Sequence, residues 1–234
     1  MKNKLQSSYL LLLLIFSVLV SCKKGSNSTT QCRIIDIKPS DTLGFEMRLD
    51  YNFDNKLSVI TYMPNEAKRT FSYRGNFIFI SMIDGGTLVQ ELDTVSLNKN
   101  GLISTVERYV PSTKNFSYDT MNYDANNQLV NITENSMGHT DVSICTWNNG
   151  DLVSGSGPSF SGSNMEYYTD KKAADGDCLR INDLLLWGMP LVRCSHLLKS
   201  TINDTYSYTF DADGKITSMF HNGALMYSYT YACY

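Results

Sequence analysis

The sequence lacks the residue patterns that mark common enzyme and metal sites. It has only three histidines, no CxxC pair, no HExxH, no GxGxxG and no Walker sequence. These absences exclude the zinc-ribbon, thioredoxin-like, zinc-protease and nucleotide-binding motifs. The formal net charge is −3, and no basic block occurs beyond a lysine pair at positions 23 and 24. We therefore exclude nucleic acid as a partner.

What the sequence does have, at its amino end, is a pattern typical of export. A short positive stretch, residues 1–4, is followed by an apolar run from Tyr9 to Val20 that is too short to span a bilayer. The run ends in Leu-Val-Ser-Cys at residues 19–22, which resembles the lipobox of bacterial lipoproteins. The resemblance implies a signal peptide over residues 1–21 and a lipidated Cys22. An ordinary signal peptide with a chance cysteine is the alternative.

Acyl chains on Cys22, palmitate among them, would hold the protein at a membrane, because each buried methylene contributes roughly 0.8 kcal/mol. Residues 22–31 are small and polar, which predicts a flexible tether between the lipid and the fold. Surface-exposed lipoproteins of Bacteroides-type bacteria usually carry acidic residues after the cysteine, whereas Lys23 and Lys24 stand here. We expect a lipid anchor in the outer membrane and a protein that faces the periplasm.

The other five cysteines can pair in an oxidising compartment, with at least one left free. Cys178 with Cys194 is the first pairing to consider, because it closes a short loop around an apolar segment. Cys32 with Cys233, which ties the two ends together, comes second. Buried free thiols are the alternative, because spacing alone does not fix connectivity.

A repeated pattern of about twelve residues predicts the fold. Its clearest copies are LDYNFDNKLSVI, VSLNKNGLISTV, MNYDANNQLVNI and YTFDADGKITSM, and FSYRGNFIFIS and CTWNNGDLVSG are weaker copies. Each copy has an alternating strand, then an Asn/Asp/Gly cluster that reverses the chain, then a second strand. The apolar anchors after the turns are Leu57, Phe77, Leu102, Leu129, Leu152 and Ile216.

These hairpins predict a mainly all-β fold, an antiparallel meander that forms one twisted or curved sheet, in a single domain over residues 32–234. A short helical insert is expected near 179–199, where the apolar residues cluster rather than alternate. Asn182 or Asp183 is the predicted N-cap, Gly188 the predicted end, and Pro190 the start of another turn.

The repeats resemble the YD repeats of the RHS class, which build extended antiparallel sheet from successive hairpins. Tyr123-Asp124 and Phe210-Asp211 carry that likeness. With the lipobox, the helical insert and the aromatic strand Tyr227–Tyr234, the chain resembles a family of Bacteroides-type lipoproteins of unknown function. The resemblance implies a scaffold of hairpins and no particular activity.

Three stretches of the sequence are candidates for chemistry. Asp211 and Asp213 do not have the spacing of an EF-hand calcium loop, and the acidic turn Asp175–Asp177 is similarly incomplete. Ser159 stands in GPSFS, which lacks the second glycine of a nucleophile elbow. We therefore predict no catalytic residue, no metal site and no cofactor, and expect that the protein is not an enzyme.

Three Asp-Thr-apolar triplets resemble the acceptor motif for O-glycosylation in Bacteroides-type bacteria. They place candidate sugars on Thr42, Thr94 and Thr120. Ordinary Asp-Thr turns and strand ends are the equal alternative, and composition alone would give about one such triplet.

The sequence thus favours a lipid-anchored, non-enzymatic binding or interaction module, whose partner is a glycan, a lipid or another envelope protein. Exposed tyrosines on a sheet would suit sugar rings, although alternating tyrosines are more often core. A structural or assembly accessory of the outer membrane is the alternative, and a glycan-acting hydrolase is the third hypothesis.

Overall fold

A computed structural model describes residues 31–40, 44–84, 88–158 and 164–234. The predicted signal peptide, Cys22 and nearly all of the tether therefore lie outside the described residues, as do Thr42 and Ser159. Two compact units are present: one includes Gln31 with Cys233 and Tyr234, and the other spans Cys32–Ala232. In the small unit, Gln31 and Tyr234 exchange two backbone hydrogen bonds of 3.1 Å.

The secondary structure is almost entirely β. The strands are β1 (Cys32–Pro39), β2 (Glu46–Tyr51), β3 (Leu57–Met63), β4 (Ala67–Arg74), β5 (Phe77–Asp84), β6 (Leu88–Leu97), β7 (Ile103–Val110), β8 (Asn115–Tyr123), β9 (Leu129–Ser136), β10 (His139–Asn148), β11 (Asp151–Ser156), β12 (Glu166–Lys172), β13 (His196–Ser200), β14 (Tyr206–Phe210), β15 (Ile216–His221) and β16 (Ala224–Cys233). The helix α1 spans Cys178–Trp187.

Fourteen strands form one open sheet in the order β11-β10-β9-β8-β7-β6-β5-β4-β3-β2-β1-β16-β15-β14, and β12 pairs with β13 in a second, two-stranded sheet. Successive strands from β1 to β11 are antiparallel neighbours. At the other side of β1 the chain returns as β16, where the Ser40 N–H donates to the Met226 carbonyl at 3.1 Å. The predicted all-β antiparallel meander is confirmed.

The four clearest repeats share one turn geometry. In each turn an Asn or Asp side chain accepts the backbone N–H of the residue four positions later. The residue three positions after this Asn or Asp has a positive φ, and a buried strand residue comes two positions after that. The first residues are Asn52, Asn98, Asp124 and Asp211, the fourth are Asn55, Gly101, Asn127 and Gly214, and the buried ones are Leu57, Ile103, Leu129 and Ile216. The repeat is therefore an Asx-closed hairpin turn that fixes strand register.

Two details of the predicted pattern are wrong. The in-register anchor of the second clear copy is Ile103 rather than Leu102, although both are buried. Phe77, the predicted anchor of a weaker copy, is 46% exposed, because it shares a sheet face with its partners Arg74 and Ser96 rather than with buried Ile78.

The predicted N-cap of the helix is also wrong. Asp177 caps α1, because its carboxylate accepts the Leu179 N–H at 2.9 Å. Asp183 lies inside the helix and instead accepts the N–H groups of Leu191 and Val192, at 2.8 and 2.9 Å. The prediction was wrong because both aspartates accept backbone N–H groups. Asp177 does so at the start of the helix, and Asp183 does so from the segment that follows the helix.

Gly188 ends α1, as predicted, with a φ of 73°. A Cβ at this position would lie 2.8 Å from the Tyr73 hydroxyl and 2.9 Å from the Phe71 ring, so the helix end packs directly on β4. No further helix begins at Pro190; the chain runs without helical structure to β13. In the part of the chain that the structure describes, no helix is both long and apolar enough to cross a membrane.

The two faces of the large sheet differ. One face, here called the covered face, packs against α1, β13 and the segment between them, and its core includes Ile60, Ile78 and Val106 with Ile181 and Leu197. On the opposite, open face, large apolar side chains stay 38–56% exposed: Phe77, Phe79, Leu92, Tyr109, Phe116, Val142 and Ile144.

Candidate binding cleft

A cleft of about 530 Å³ opens on the covered face beside α1. Residues of β3 to β7 contribute most of its wall, and Leu186 of α1 closes one side. Its lining consists of Phe45, Tyr62, Asn65, Ala67, Arg69, Met82, Asp84, Glu91, Arg108 and Leu186. The volume falls within the range of small-molecule sites in proteins.

The floor of the cleft is a group of alternating charges on three strands. The Arg69 guanidinium of β4 lies 2.7 Å from Glu91 Oε1 of β6, and Arg108 Nε of β7 lies 3.5 Å from the same oxygen. Beneath them Asp93 has a fully buried side chain, 3.4 Å from Arg108 Nε and 3.8 Å from the Arg69 guanidinium. Strand pairing sets this arrangement, because Asp93 stands opposite Arg108 in the β6–β7 ladder and Arg69 stands opposite Met82, the partner of Glu91.

The buried carboxyl of Asp93 is poorly compensated. No described group donates a hydrogen bond to either of its oxygens. Burial, together with the negative charge of Glu91, raises the pKa of Asp93 to about 7 against the opposing effect of Arg108 and Arg69. The charge of Asp93, and with it the charge of the cluster, therefore changes close to neutral pH.

Arg108 joins this cluster to the helix and to the next strand. Its guanidinium lies 5.4 Å from the centre of the Trp187 ring, a cation–π contact. Beyond it, burial and the charge of Glu134 raise the pKa of Asp119, an effect that Arg108 opposes. Arg108 is thus shared among carboxyls on β6 and β8 and an aromatic ring on α1.

The rim of the cleft is apolar. Phe45 is 49% exposed and Leu186 is 43% exposed. Glu91 and Arg108 keep about a quarter and a third of their side-chain surface accessible, at 26% and 33%. A ligand in this space would meet flat apolar groups at the rim and paired hydrogen-bond donors and acceptors at the floor.

Sequence reasoning missed this cluster, although a signal for it was present. In β6 the positions that share a face with buried Val95 are Glu91 and Asp93, and in β7 the position that shares a face with buried Val106 is Arg108. Charged residues at core-facing positions of a strand are costly and mark a site or an internal ion pair.

The cysteines are placed differently from the first predicted pairing. Cys178 and Cys194 are both free and buried: Cys178 begins α1, and Cys194 Sγ lies 3.3 Å from the Tyr167 hydroxyl. Burial raises the pKa of Cys194 to about 11, so this thiol is protonated and unreactive. Cys32 and Cys233, which the sequence placed second, are each disulfide-bonded.

The two described glycosylation candidates lie on the open face. Thr94 stands between Phe79 and Glu107, and Thr120 stands between its partners on β7 and β9. Both are half-buried within strands rather than at turns. Modification at Thr94 and Thr120 stays a prediction, and Thr42 lies outside the described residues.

Two of the three histidines pair with aspartates. His196 Nδ1 lies 2.7 Å from Asp151 Oδ2, and the other Asp151 oxygen accepts the N–H groups of Ser195 and His196 at 2.9 Å. His221 Nε2 lies 2.7 Å from Asp204. Each pair ties neighbouring segments together. The candidate nucleophile Ser159 is outside the described residues, so the predicted convergence of serine, histidine and carboxylate is not tested.

Asp211 and Asp213 are occupied by contacts within their own turn. Lys215 Nζ lies 3.0 Å from Asp211 and 2.7 Å from Asp213, and the Lys215 N–H donates to Asp211 at 2.9 Å. These bonds lower the pKa of Asp211. Within the described ranges, no group of three or more His, Cys, Asp or Glu side chains is arranged to hold a metal ion.

A scan against protein-family models found no match to this chain, and a search of curated proteins found none.

Proposed function

We propose that the protein is a lipid-anchored, non-enzymatic binding module of the cell envelope, and that the cleft beside α1 is its ligand site. The anchor is the lipid on Cys22, and its place is the outer membrane, on the periplasmic side. The likeness to Bacteroides-type lipoproteins is part of the same proposal. The ligand is a glycan or a lipid.

The observation that carries this proposal is the charge cluster in the cleft. A buried carboxyl paired with arginines that line an open cleft marks a candidate site, because burial of these charges costs free energy. Asp93 and its neighbours Arg69 and Arg108 lie directly under an open space of suitable volume, with exposed Phe45 at its edge.

Purification from the native membrane tests the proposal. We expect mass spectrometry of the intact protein to show a diacyl or triacyl modification on Cys22 and a stoichiometric glycan or lipid bound without a covalent bond. A matched variant, Arg108→Gln, should keep the acyl mass and lose the bound ligand. Processing that resists globomycin would contradict the lipoprotein assignment, and wild-type protein without any bound small molecule would contradict the ligand site.

A second candidate function, a structural or assembly accessory, is favoured by the open face. Leu92, Tyr109 and Phe116 stand directly opposite one another on β6, β7 and β8 and are each 38–54% exposed. A contiguous apolar row of this kind is typical of a protein contact. If a stable protein partner co-purifies and Tyr109→Ser releases it, while no small ligand is found, this function replaces the first.

The hydrolase hypothesis ranks third. The His196–Asp151 pair, like His221–Asp204, resembles part of a catalytic triad. Turnover of envelope glycans by the purified protein that is abolished by both His196→Gln and Ser159→Ala would favour this hypothesis over a binding function.

A further inference from the structure

We propose that the cleft binds an uncharged pyranose ring of a glycan, with hydroxyl groups on Glu91 and Arg108 and the apolar face of the sugar against Phe45. This inference rests on the proposed binding function and specifies its ligand class. It follows from the charge, the accessible atoms and the rim of the cleft.

The charge of the cleft does not favour an anionic ligand. Arg69 and Arg108 contribute two positive charges, and three carboxyls, Asp84, Glu91 and Asp93, lie in or beneath the lining. A phosphate or a uronic acid would need positive charge that these carboxyls already neutralise. An acidic glycan or a phosphorylated lipid headgroup is therefore a poor fit.

The floor also disfavours an acyl chain. A hydrocarbon seated on Arg69, Glu91 and Arg108 would remove charged groups from water and offer them no hydrogen bond. Apolar side chains line the cleft mainly at Phe45, Met82 and Leu186, around a polar floor. A sugar suits both the polar floor and the apolar rim, because it has hydroxyl groups at its edge and C–H groups on its faces.

The hydrogen-bonding atoms suit neighbouring hydroxyls. Both arginines lie close to Glu91 Oε1, and the Glu91 side chain is 26% exposed, so its carboxylate is within reach of a ligand hydroxyl as an acceptor. Arg108, 33% exposed, lies beside it as a donor. A donor and an acceptor held side by side match two adjacent hydroxyl groups, each of which donates and accepts.

The rim provides the stacking surface. Phe45, just before β2, is 49% exposed, and Leu186 of α1, which also lines the cleft, is 43% exposed. An aromatic ring and an aliphatic side chain would cover the C–H face of a pyranose and gain apolar burial without charge.

Binding is measured on the full mature chain by calorimetry with a fixed set of probes. The neutral probes are maltose, cellobiose, lactose and N,N′-diacetylchitobiose; the competing probes are glucuronate, glucose 6-phosphate and palmitate. We expect at least one neutral disaccharide to bind more tightly than every acidic probe and than palmitate.

The variants have matched controls on the open face. Glu91→Gln should weaken disaccharide binding by about tenfold, through loss of a charged acceptor, whereas Glu107→Gln, the same change one position from Arg108, should change it by less than about twofold. Phe45→Ala should weaken it by about fivefold, and the equally exposed Phe116→Ala should not. Thermal unfolding checks that each variant is folded. If Glu91→Gln does not fold, Phe45→Ala provides the test.

Several outcomes would overturn the inference. Tighter binding of glucuronate, glucose 6-phosphate or palmitate than of any neutral sugar would do so and would leave the binding function intact. Equal losses in Glu91→Gln and Glu107→Gln would place the sugar elsewhere, and failure of every probe to bind folded protein would exclude the pyranose ligand. The binding function itself fails only if protein from the native membrane carries no small ligand.

Discussion

Asp93 and Asp177 are both fully buried aspartates, yet they have opposite surroundings. Asp177 begins α1, and its carboxylate accepts the Leu179 N–H, so it closes the end of a helix. Asp93 lies under the cleft and accepts no hydrogen bond from any described group. Burial raises the pKa of both carboxyls, that of Asp177 to about 6 and that of Asp93 to about 7.

This difference separates a buried carboxyl that stabilises the fold, Asp177, from one that belongs to the proposed site, Asp93. Backbone N–H groups hold Asp177 in place and need its oxygen, so its removal would leave a helix end unsatisfied. Around Asp93 the groups of opposite charge are side chains of Arg69 and Arg108 that also line an open cleft. The first carboxyl stabilises local structure; the second keeps two arginines in position at the cost of stability.

The largest loss of stability is expected when one arginine of the charge cluster in the cleft is removed. Arg69→Ala removes the guanidinium closest to Glu91 and one of the two that lie near Asp93. We expect the free energy of unfolding at pH 8 to fall by about 3 kcal/mol, as for other buried ion pairs that lose one partner. Urea unfolding at pH 8 and pH 5 measures it; the loss should shrink at pH 5, where Asp93 is protonated. A loss that is independent of pH would contradict this reason.

Asp93→Asn should instead stabilise the protein in alkaline solution. Because the folded state raises the pKa of Asp93 from its usual value of roughly 4 to about 7, the native protein binds a proton that the unfolded chain releases. Wild-type stability therefore falls as pH rises through this range.

The variant does not titrate at this position, so its advantage should be nearly absent near pH 4 and reach about 4 kcal/mol at pH 8. Urea unfolding across this range would show it. A variant less stable than wild type at pH 8 would mean that the fold itself needs the carboxylate.

At position 177 we expect Asn and Ala to have different effects on stability. Asn accepts the Leu179 N–H as Asp does, so Asp177→Asn should keep wild-type stability at pH 5, whereas Asp177→Ala should lose about 1 kcal/mol. Thermal unfolding at pH 5 would compare them. If Ala and Asn were equally tolerated at 177, the cap would contribute nothing and the contrast with Asp93 would fail.

The smallest effect is expected in a repeat turn, far from both buried aspartates. Asp124 accepts the N–H groups of Asn126 and Gln128, each at 2.9 Å, in a partly exposed turn. Asp124→Ala should destabilise by about 0.5 kcal/mol, and Asp124→Asn should be neutral. Equal thermal midpoints for the Ala variant and the wild type would show that the Asx closure is dispensable.

The strands and turns were predictable because the information for them is local. In YTFDADGKITSM the turn residues Asp211 and Gly214 and the buried Ile216 stand within six positions of one another, and the same geometry recurs in three other copies. The helix end at Gly188 was predictable for the same reason.

The cleft was not predicted because Arg69, Asp93 and Arg108 are 15 to 39 positions apart and meet only through strand register. In the sequence, Asp93 stands out only as part of an Asp-Thr-Val triplet, and Arg69 and Arg108 belong to no motif. Each of these charged residues lies at a core-facing position of β4, β6 or β7, which is unusual. They meet under one opening because of the β4–β5–β6–β7 pairing and the position of α1, and neither can be read from the local sequence.

A carbon-13 NMR titration of the Asp93 and Asp177 carboxyl groups in one sample, with and without the disaccharide that binds, tests the central claim most directly. We predict that both carboxyls titrate above the usual range in the free protein, Asp93 near 7 and Asp177 near 6, and that the ligand moves the titration of Asp93 alone. Titration of Asp93 in the usual range near pH 4, or a ligand that leaves it unchanged, would contradict the assignment of the cleft as the site.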